Sequence, residues 1–325
     1  MLLLLLLPAC GPLTFTIGSS PDRRLQSQIV ASEGAGRNDR IALVDVTGLI
    51  VNADRPGLLQ AGDNPVGLLT EKLEVARQDK RVKAVILRIN SPGGTVTATD
   101  MMYGQVVRFR RETGKPVIVL MMDVAASGGY YLACAGDYIV AYPTTVTGSI
   151  GVIVQTITVK EGLDRIGVRA EAITSGPNKN VGSPLSTMTP EHRAILQHLV
   201  DDFYERFVGV VRQRRLLIPP GEFARLTDGR VMSGREAATV GLVDEVGDLH
   251  DAVALAKQRA GLKRVDLIMY HRPMQYVGSP YAASPAPPAH AAAGGMIQIN
   301  LAQINLPDLL ADTSARFYYL WQADR

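Results

Sequence analysis

The chain has 325 residues, 46% of them apolar and 20% charged, with 34 Lys and Arg against 31 Asp and Glu. It is long enough to bury a sizeable core, and the composition excludes a mainly disordered chain, a coiled coil and a collagen-like fibre. A net charge of +3 gives no electrostatic case for a nucleic-acid partner, and two cysteines, Cys10 and Cys134, exclude a disulfide framework and a four-cysteine zinc site.

Residues 2–7 are six consecutive leucines, followed by Pro8-Ala9-Cys10. The run is too short to span a bilayer, which takes about 20 apolar residues. It resembles the end of a secretory h-region, and Leu7-Pro8-Ala9-Cys10 resembles a bacterial lipobox, whose cysteine is lipidated after cleavage. Export is the expectation for residues 1–10, with Cys10 as a candidate lipid anchor; a chance apolar stretch is the alternative. Residues 11–40 are polar from about residue 18 onward and read as a linker.

Order is expected from Ile41 to Val46, a strand. Pro65 to Asp79 carries Val66, Leu69, Leu73 and Ala76 at helical spacing. A second strand covers residues 83–89, closed by Asn90-Ser-Pro-Gly-Gly94, and a helix follows over 97–112. Residues 116–122 are nearly all apolar, as a strand covered on both faces should be. Ser127 to Ala135 reads as a short helix, and Tyr138 to Ala141 as another strand. This alternation predicts an α/β fold. Thr189-Pro190 opens the clearest helix, an N-cap followed by proline at the first position, which ends by Pro219-Pro220. Residues 248–260 form another helix and 265–270 a late strand. Residues 278–295 are Ala, Pro and Gly with little else and read as a flexible segment. The predicted organisation is a globular unit over 41–262, with strand, flexible segment and tail over 263–325.

The stretch Asp123-Val-Ala-Ala-Ser127-Gly128-Gly129-Tyr130-Tyr131 joins an apolar strand to a helix. Ser127 then sits at the carboxyl edge of the sheet, where α/β folds place ligands. It reads as a nucleophile with the Gly128 amide facing a developing oxyanion, or as a plain helix cap beside packing glycines. The G-x-S-x-G elbow is absent, since position 125 is alanine.

A serine nucleophile needs a base. None of His192, His198, His250, His271 and His290 has a carboxylate orienter at a recognisable spacing, and no H-E-x-x-H or Cys–His cluster points to a metal. Lysine is the other base used with serine. It acts only as the neutral amine, and lowering a lysine pKa from about 10.4 to 7–8 corresponds to roughly 3–4.5 kcal/mol against the charged form. Lys179 fits that need, because Ser175-Gly-Pro-Asn-Lys179-Asn-Val-Gly-Ser-Pro184 holds no acid and no other base; an ordinary loop lysine is the alternative. Asn90-Ser-Pro-Gly93-Gly94 offers backbone amides to an anion or is a tight turn. Thr147-Gly-Ser149-Ile-Gly151 offers hydroxyls to a lysine amine or is a polar turn.

Together these segments resemble the signal peptide peptidase A (protease IV) family over residues 41–262. The carriers are Arg88-Ile-Asn-Ser-Pro-Gly-Gly94, Ala125-Ala-Ser-Gly-Gly-Tyr-Tyr131, Thr147-Gly-Ser-Ile-Gly-Val152, Lys179 with Gly182-Ser-Pro184, and Gly229-Arg-Val231 followed by Gly241-Leu-Val-Asp244. The resemblance implies a crotonase/ClpP-like α/β fold of repeated β-β-α and β-α-β units. It implies a serine endopeptidase with Ser127 as nucleophile, Lys179 as general base, Gly94 and Gly128 as oxyanion donors and Ser149 positioning the lysine. No cofactor or metal is implied. The implied substrates are cleaved signal peptides and similar apolar peptides, handled at the cell membrane on the extracytoplasmic (periplasmic) side. In short members serine and lysine meet across a protomer interface, which implies a homo-oligomer. Two departures stand out: the leucine run replaces the family's N-terminal membrane segment, and Asn180 stands where an acid usually follows the lysine. A crotonase-type acyl-CoA enzyme and an inactive membrane scaffold are the competing readings.

Overall fold

The structure is a computed structural model and describes residues 23–36, 38–54, 62–216, 218–273, 277–282 and 316–322. Cys10, and nearly all of the Ala/Pro/Gly stretch, lie outside the described residues. The main sheet has nine strands. Its middle is parallel: β1 (Gln26–Ser32) forms one edge, and β2 (Asp39–Thr47), β3 (Val82–Ser91), β5 (Val117–Ala126) and β6 (Tyr138–Ala141) follow across it. A short antiparallel strand, β4 (Gly93–Thr95), leaves this sheet just after β3. Strand β7 (Val146–Gly148) pairs with the far end of β5 in parallel and with β9 (Val231–Ser233) antiparallel. Strand β10 (Glu245–Val246) pairs with β6, and β11 (Val265–His271) lies between β1 and β2.

The parallel strands read as unbroken apolar runs because both faces are covered. Side chains alternate between faces. Val44, Leu87 and Val119 face one layer, with Leu69 and Leu73 of α1 (Pro65–Gln78), Met102 and Val106 of α2 (Val96–Thr113), and Leu132 of α3 (Gly128–Ala133). Leu43, Ile86 and Leu120 face the opposite layer. Among the remaining helices, α4 (Lys160–Arg165) is a short surface turn, and α5 (Pro190–Arg214) sends Phe207 and Val211 into the first layer. Then come α6 (Pro220–Leu226) and α7 (Gly234–Thr239), and α8 (Leu249–Ala260) covers the second layer with Leu249, Ala252 and Ala256. The caps follow the sequence. Asn64 accepts from the Val66 and Gly67 amides, Thr189 accepts from His192 N–H, and Asp248 forms a capping box with Asp251.

This parallel-rich α/β architecture agrees with the crotonase/ClpP-like expectation. Three details depart from the sequence reading. The segment read as a linker holds β1, whose polar residues suit an edge strand and whose order comes from pairing with β11. Strand β5 runs four residues past the expected end at 122, because Val124, Ala125 and Ala126 pair with β7. The tail contributes β12 (Phe317–Leu320), the middle strand of a second, three-stranded sheet between β4 and β8 (Ile153–Val154). No helix among the described residues is long and apolar enough to cross a membrane.

Candidate active site

Strands β3 and β5 are parallel neighbours, with Ser91 paired to Ala125, so their carboxyl ends deliver two loops to one place. Ser127 leaves β5 with φ 51° and ψ −115°, a conformation that costs a non-glycine residue about 1–3 kcal/mol. The backbone around it over-determines that geometry. Ser127 N–H donates to the Gly148 carbonyl (2.8 Å), and the Ser127 carbonyl accepts from Tyr131 N–H (2.9 Å). The plain-cap reading fails here, because the side chain makes no capping hydrogen bond to α3. The hydroxyl is left without a hydrogen bond among the described residues, in a site where Ser127 is 1% exposed.

The Pro92-Gly93-Gly94 turn reaches the same point. Ser91 Oγ accepts from Gly93 N–H (3.1 Å) and donates to the Gly48 carbonyl (2.7 Å), which ties the turn to the end of β2. Ile50 locks the next peptide: its N–H donates to the Gly93 carbonyl (2.8 Å), and its carbonyl accepts from Thr95 N–H (2.9 Å). Side chains cannot be accommodated here. A Cβ on Gly94 would lie 1.8 Å from the Ile50 carbonyl oxygen. At Gly93 (φ +105°) it would lie 1.9 Å from the Tyr319 carbonyl oxygen and 2.6 Å from Gly128 N. A Cβ on Gly128 would stand 3.0 Å from Gly93 Cα. The two glycine segments therefore touch, as an oxyanion site built from Gly94 and Gly128 requires.

Ser149 stands beside them. Ala126 and Gly148 are paired, so Ser127 and Ser149 leave neighbouring parallel strands one residue later at the same level. They are also the two non-glycine residues with positive φ among the described residues, both at 51°. Ser149 is held by its N–H donating to the Arg230 carbonyl (2.6 Å), and its hydroxyl has no partner among the described residues. Thr147 Oγ1, in contrast, donates to the Ala125 carbonyl (2.7 Å). Of the two hydroxyls in this turn, only that of Ser149 is available to another group.

Lys179 is placed differently. It lies in an irregular run of turns between α4 and α5, it is exposed, and no hydrogen bond joins it to Ser127. The run is fastened at a few points: Val159 N–H donates to the Pro184 carbonyl (2.8 Å), Asn180 Nδ2 donates to Ser186 Oγ (2.9 Å), and His192 Nε2 meets the Pro177 carbonyl (3.1 Å). His192 is thus buried and structural, whereas its spacing had placed it only on the helix. The same excursion exposes Ile157 (69%), Ile166 (72%) and Ile173 (104%). No group of His, Cys, Asp and Glu among the described residues could hold a metal ion.

Comparison with known proteins separates the chain's likenesses by length. The model of peptidase family S49 matches residues 109–263, which include Ser127, Ser149 and Lys179. A putative protease of Synechocystis sp. is 34% identical over 223 residues, covering 69% of this chain and 75% of that protein. The chain belongs to peptidase family S49. A putative signal peptide peptidase SppA of Enterococcus faecium is 33% identical over 239 residues, covering 73% of this chain and 68% of that protein. The chloroplastic serine protease SPPA of Arabidopsis thaliana is 36% identical over 242 residues, covering 73% of this chain and 35% of that protein. Against such longer relatives the S49 chain spans about a third of their length. Family membership agrees with the resemblance carried by the five sequence motifs and with the α/β fold.

Sequence reasoning missed two parts of the site. It took Gly93 only as part of the turn and named Gly94 as the donor; the positive φ of Gly93 and its close backbone neighbours are visible only in coordinates. It also passed over β12, although Phe317-Tyr-Tyr-Leu320 is a run of strand-favouring residues.

Proposed function

We propose that the protein is a serine endopeptidase with a Ser127–Lys179 dyad, degrading cleaved signal peptides and similar apolar peptides at the extracytoplasmic face of the cell membrane. The observation that carries this reading is the strained, buried Ser127, its hydroxyl uncommitted, beside the Gly93-Gly94 and Gly128 backbone. Ser127 Oγ attacks the scissile carbonyl, and Lys179 takes its proton and later gives one to the leaving amine. The Gly94 and Gly128 amides stabilise the tetrahedral oxyanion, and water then resolves the acyl-enzyme. Ser149, with its hydroxyl uncommitted next to Ser127, accepts a hydrogen bond from the lysine amine and orients it.

A neutral lysine needs a dry surrounding, which the exposed Lys179 of one protomer lacks. We therefore read the site as completed by a second copy of the chain. The exposed isoleucines on the Lys179 excursion supply apolar area for that contact, and burying them is what would dry the amine. The relatives named as serine protease SPPA and signal peptide peptidase support the substrate class, and the lipobox-like Leu7 to Cys10 supports anchoring at the membrane.

The test is a fluorogenic apolar peptide assayed with the intact protein, Ser127→Ala and Lys179→Ala. Each variant is expected to lose turnover by roughly 1,000-fold or more while its oligomer, measured by light scattering, persists. Substantial turnover in either variant would remove that residue from the mechanism.

A further inference from the structure

A threonine side chain abuts the two glycine segments beside Ser127. We propose that Thr99 is a third donor at the oxyanion site, its hydroxyl directed to the charged oxygen that forms when Ser127 attacks a carbonyl. The proposal rests on the reading of Ser127, Gly94 and Gly128 as a peptidase site, and adds a side chain to two backbone amides.

One observation is a hydrogen bond that is not made. Thr99 lies near the start of α2. A threonine in a helix commonly donates from its hydroxyl to the carbonyl four residues earlier. Thr70 of α1 donates in this way to Val66 (2.8 Å), and Thr113 of α2 to Phe109 (2.7 Å). Thr99 does not. It is 0% exposed, and its Oγ1 has no hydrogen-bond partner among the described residues. Four other buried side-chain atoms share that state among those residues, but Arg40, Arg110 and Asn178 bond through their remaining polar atoms. The fourth, the Tyr270 hydroxyl, belongs to β11, two strands away from β3. Burying a hydroxyl without a partner is unfavourable, so an idle one at this place calls for a group that arrives to fill it.

The position says which group. A Cβ on Gly128 would lie 2.8 Å from Thr99 Oγ1 and 3.0 Å from Gly93 Cα. The hydroxyl thus stands at the seam where the two glycine segments meet, against the residue whose amide is the proposed donor. A methyl group on Gly128 would come between them.

The surroundings favour a charged acceptor. The adjacent carboxylate, Asp100, is occupied by the Tyr131 hydroxyl (2.6 Å) and by Arg206 (2.7 Å), so it does not compete for the Thr99 proton. Ser127 is as dry as Thr99, at 1% exposed. In such a place a hydrogen bond to an ionised oxygen is stronger than one to a neutral carbonyl, and the contact strengthens as charge develops. Ser127 Oγ bonds to the carbonyl carbon, its proton passes to Lys179, and the carbonyl π pair moves onto the oxygen. Thr99 keeps its proton and shares it with that oxygen. On collapse the pair re-forms the carbonyl, and the leaving amine takes the proton from Lys179.

The test compares Thr99→Val and Thr99→Ser in the full-length chain. Valine keeps the shape and deletes the hydroxyl. Its kcat is expected to fall roughly 10- to 100-fold, less than for a site with fewer donors, with KM within about twofold. Its Tm should hold or rise, since an unpaired buried hydroxyl is gone. Thr99→Ser should return kcat to within about threefold of the parent protein. A peptide aldehyde, which takes up Ser127 Oγ as a tetrahedral adduct, should lose affinity for Thr99→Val by the factor seen in kcat/KM. The uncleaved peptide should bind Ser127→Ala equally well with and without Thr99→Val. Unchanged kcat in Thr99→Val would overturn the third donor, as would a loss in which KM rises, Tm falls and serine fares no better than valine. Absence of any Ser127-dependent hydrolysis in the parent protein would instead overturn the peptidase reading, and the assignment of Thr99 with it.

Discussion

The two halves of the candidate dyad are built by different means. Ser127 is set by strand pairing, two backbone hydrogen bonds and glycine contacts that leave it 1% exposed. Lys179 sits in turns held by scattered side-chain bonds around a cavity of about 50 Å³ lined by Asn180, Gly182 and His192 among others. The core fixes where Ser127 is and strains it; the excursion only presents Lys179. The difference teaches that the proposed nucleophile and its glycine neighbours are properties of one folded chain, whereas the surroundings of the proposed base depend on whatever covers it.

That contrast can be broken most severely at Gly93. Gly93→Ala forces a Cβ to within 1.9 Å of the Tyr319 oxygen and 2.6 Å of Gly128 N, and at φ +105° it strains the backbone besides. Turnover is expected to fall roughly 100-fold, as when an oxyanion donor is lost, with far-UV circular dichroism retained. Activity near that of the parent protein would mean that these amides do not serve the reaction. A smaller effect is expected from Ile166→Asp with Ile173→Asp on the excursion. Both side chains are exposed in the protomer, so its thermal stability should hold while the assembly weakens and activity at low protein concentration drops about tenfold. Full activity from a purely monomeric double variant would break the comparison, since the base would then act without a covering copy. The smallest effect belongs to His192→Ala, which removes the contact to the Pro177 carbonyl. It should cost about 1 kcal/mol, lowering Tm by roughly 2–4 °C. Because the anchor serves the excursion and not the nucleophile, hydrogen exchange should quicken over residues 175–182 and stay unchanged over 124–131.

Much of this was legible in the sequence because it is local. The strand runs at 41–46 and 83–89, the Thr189-Pro190 start and the A-S-G-G-Y-Y turn each carry their own signal in a few consecutive residues. Ser127 could be nominated as well, but its choice between cap and nucleophile needed φ 51° and an uncommitted hydroxyl, which depend on the Gly148 carbonyl of another strand. The extension of β5 to Ala126 and the order of β1 come from pairing partners far along the chain and leave no periodicity to read. Gly93 differs from Gly94 in its φ of +105° and in what approaches it, neither of which two adjacent glycines reveal in a sequence. The aromatic tail strand gave a signal of propensity, but nothing in four residues says which two strands will flank it.

The strands that flank β12 have one more implication. Strand β4 offers three residues and β8 two, and both hold β12 between them through peptide groups that every amino acid possesses. Under the proposed function, a slot of that kind would admit any sequence that can be unwound and laid flat, and refuse a segment still coiled as a helix or packed in a folded domain. Selectivity would then fall largely on the physical state of the guest, sparing intact proteins around a loose apolar remnant.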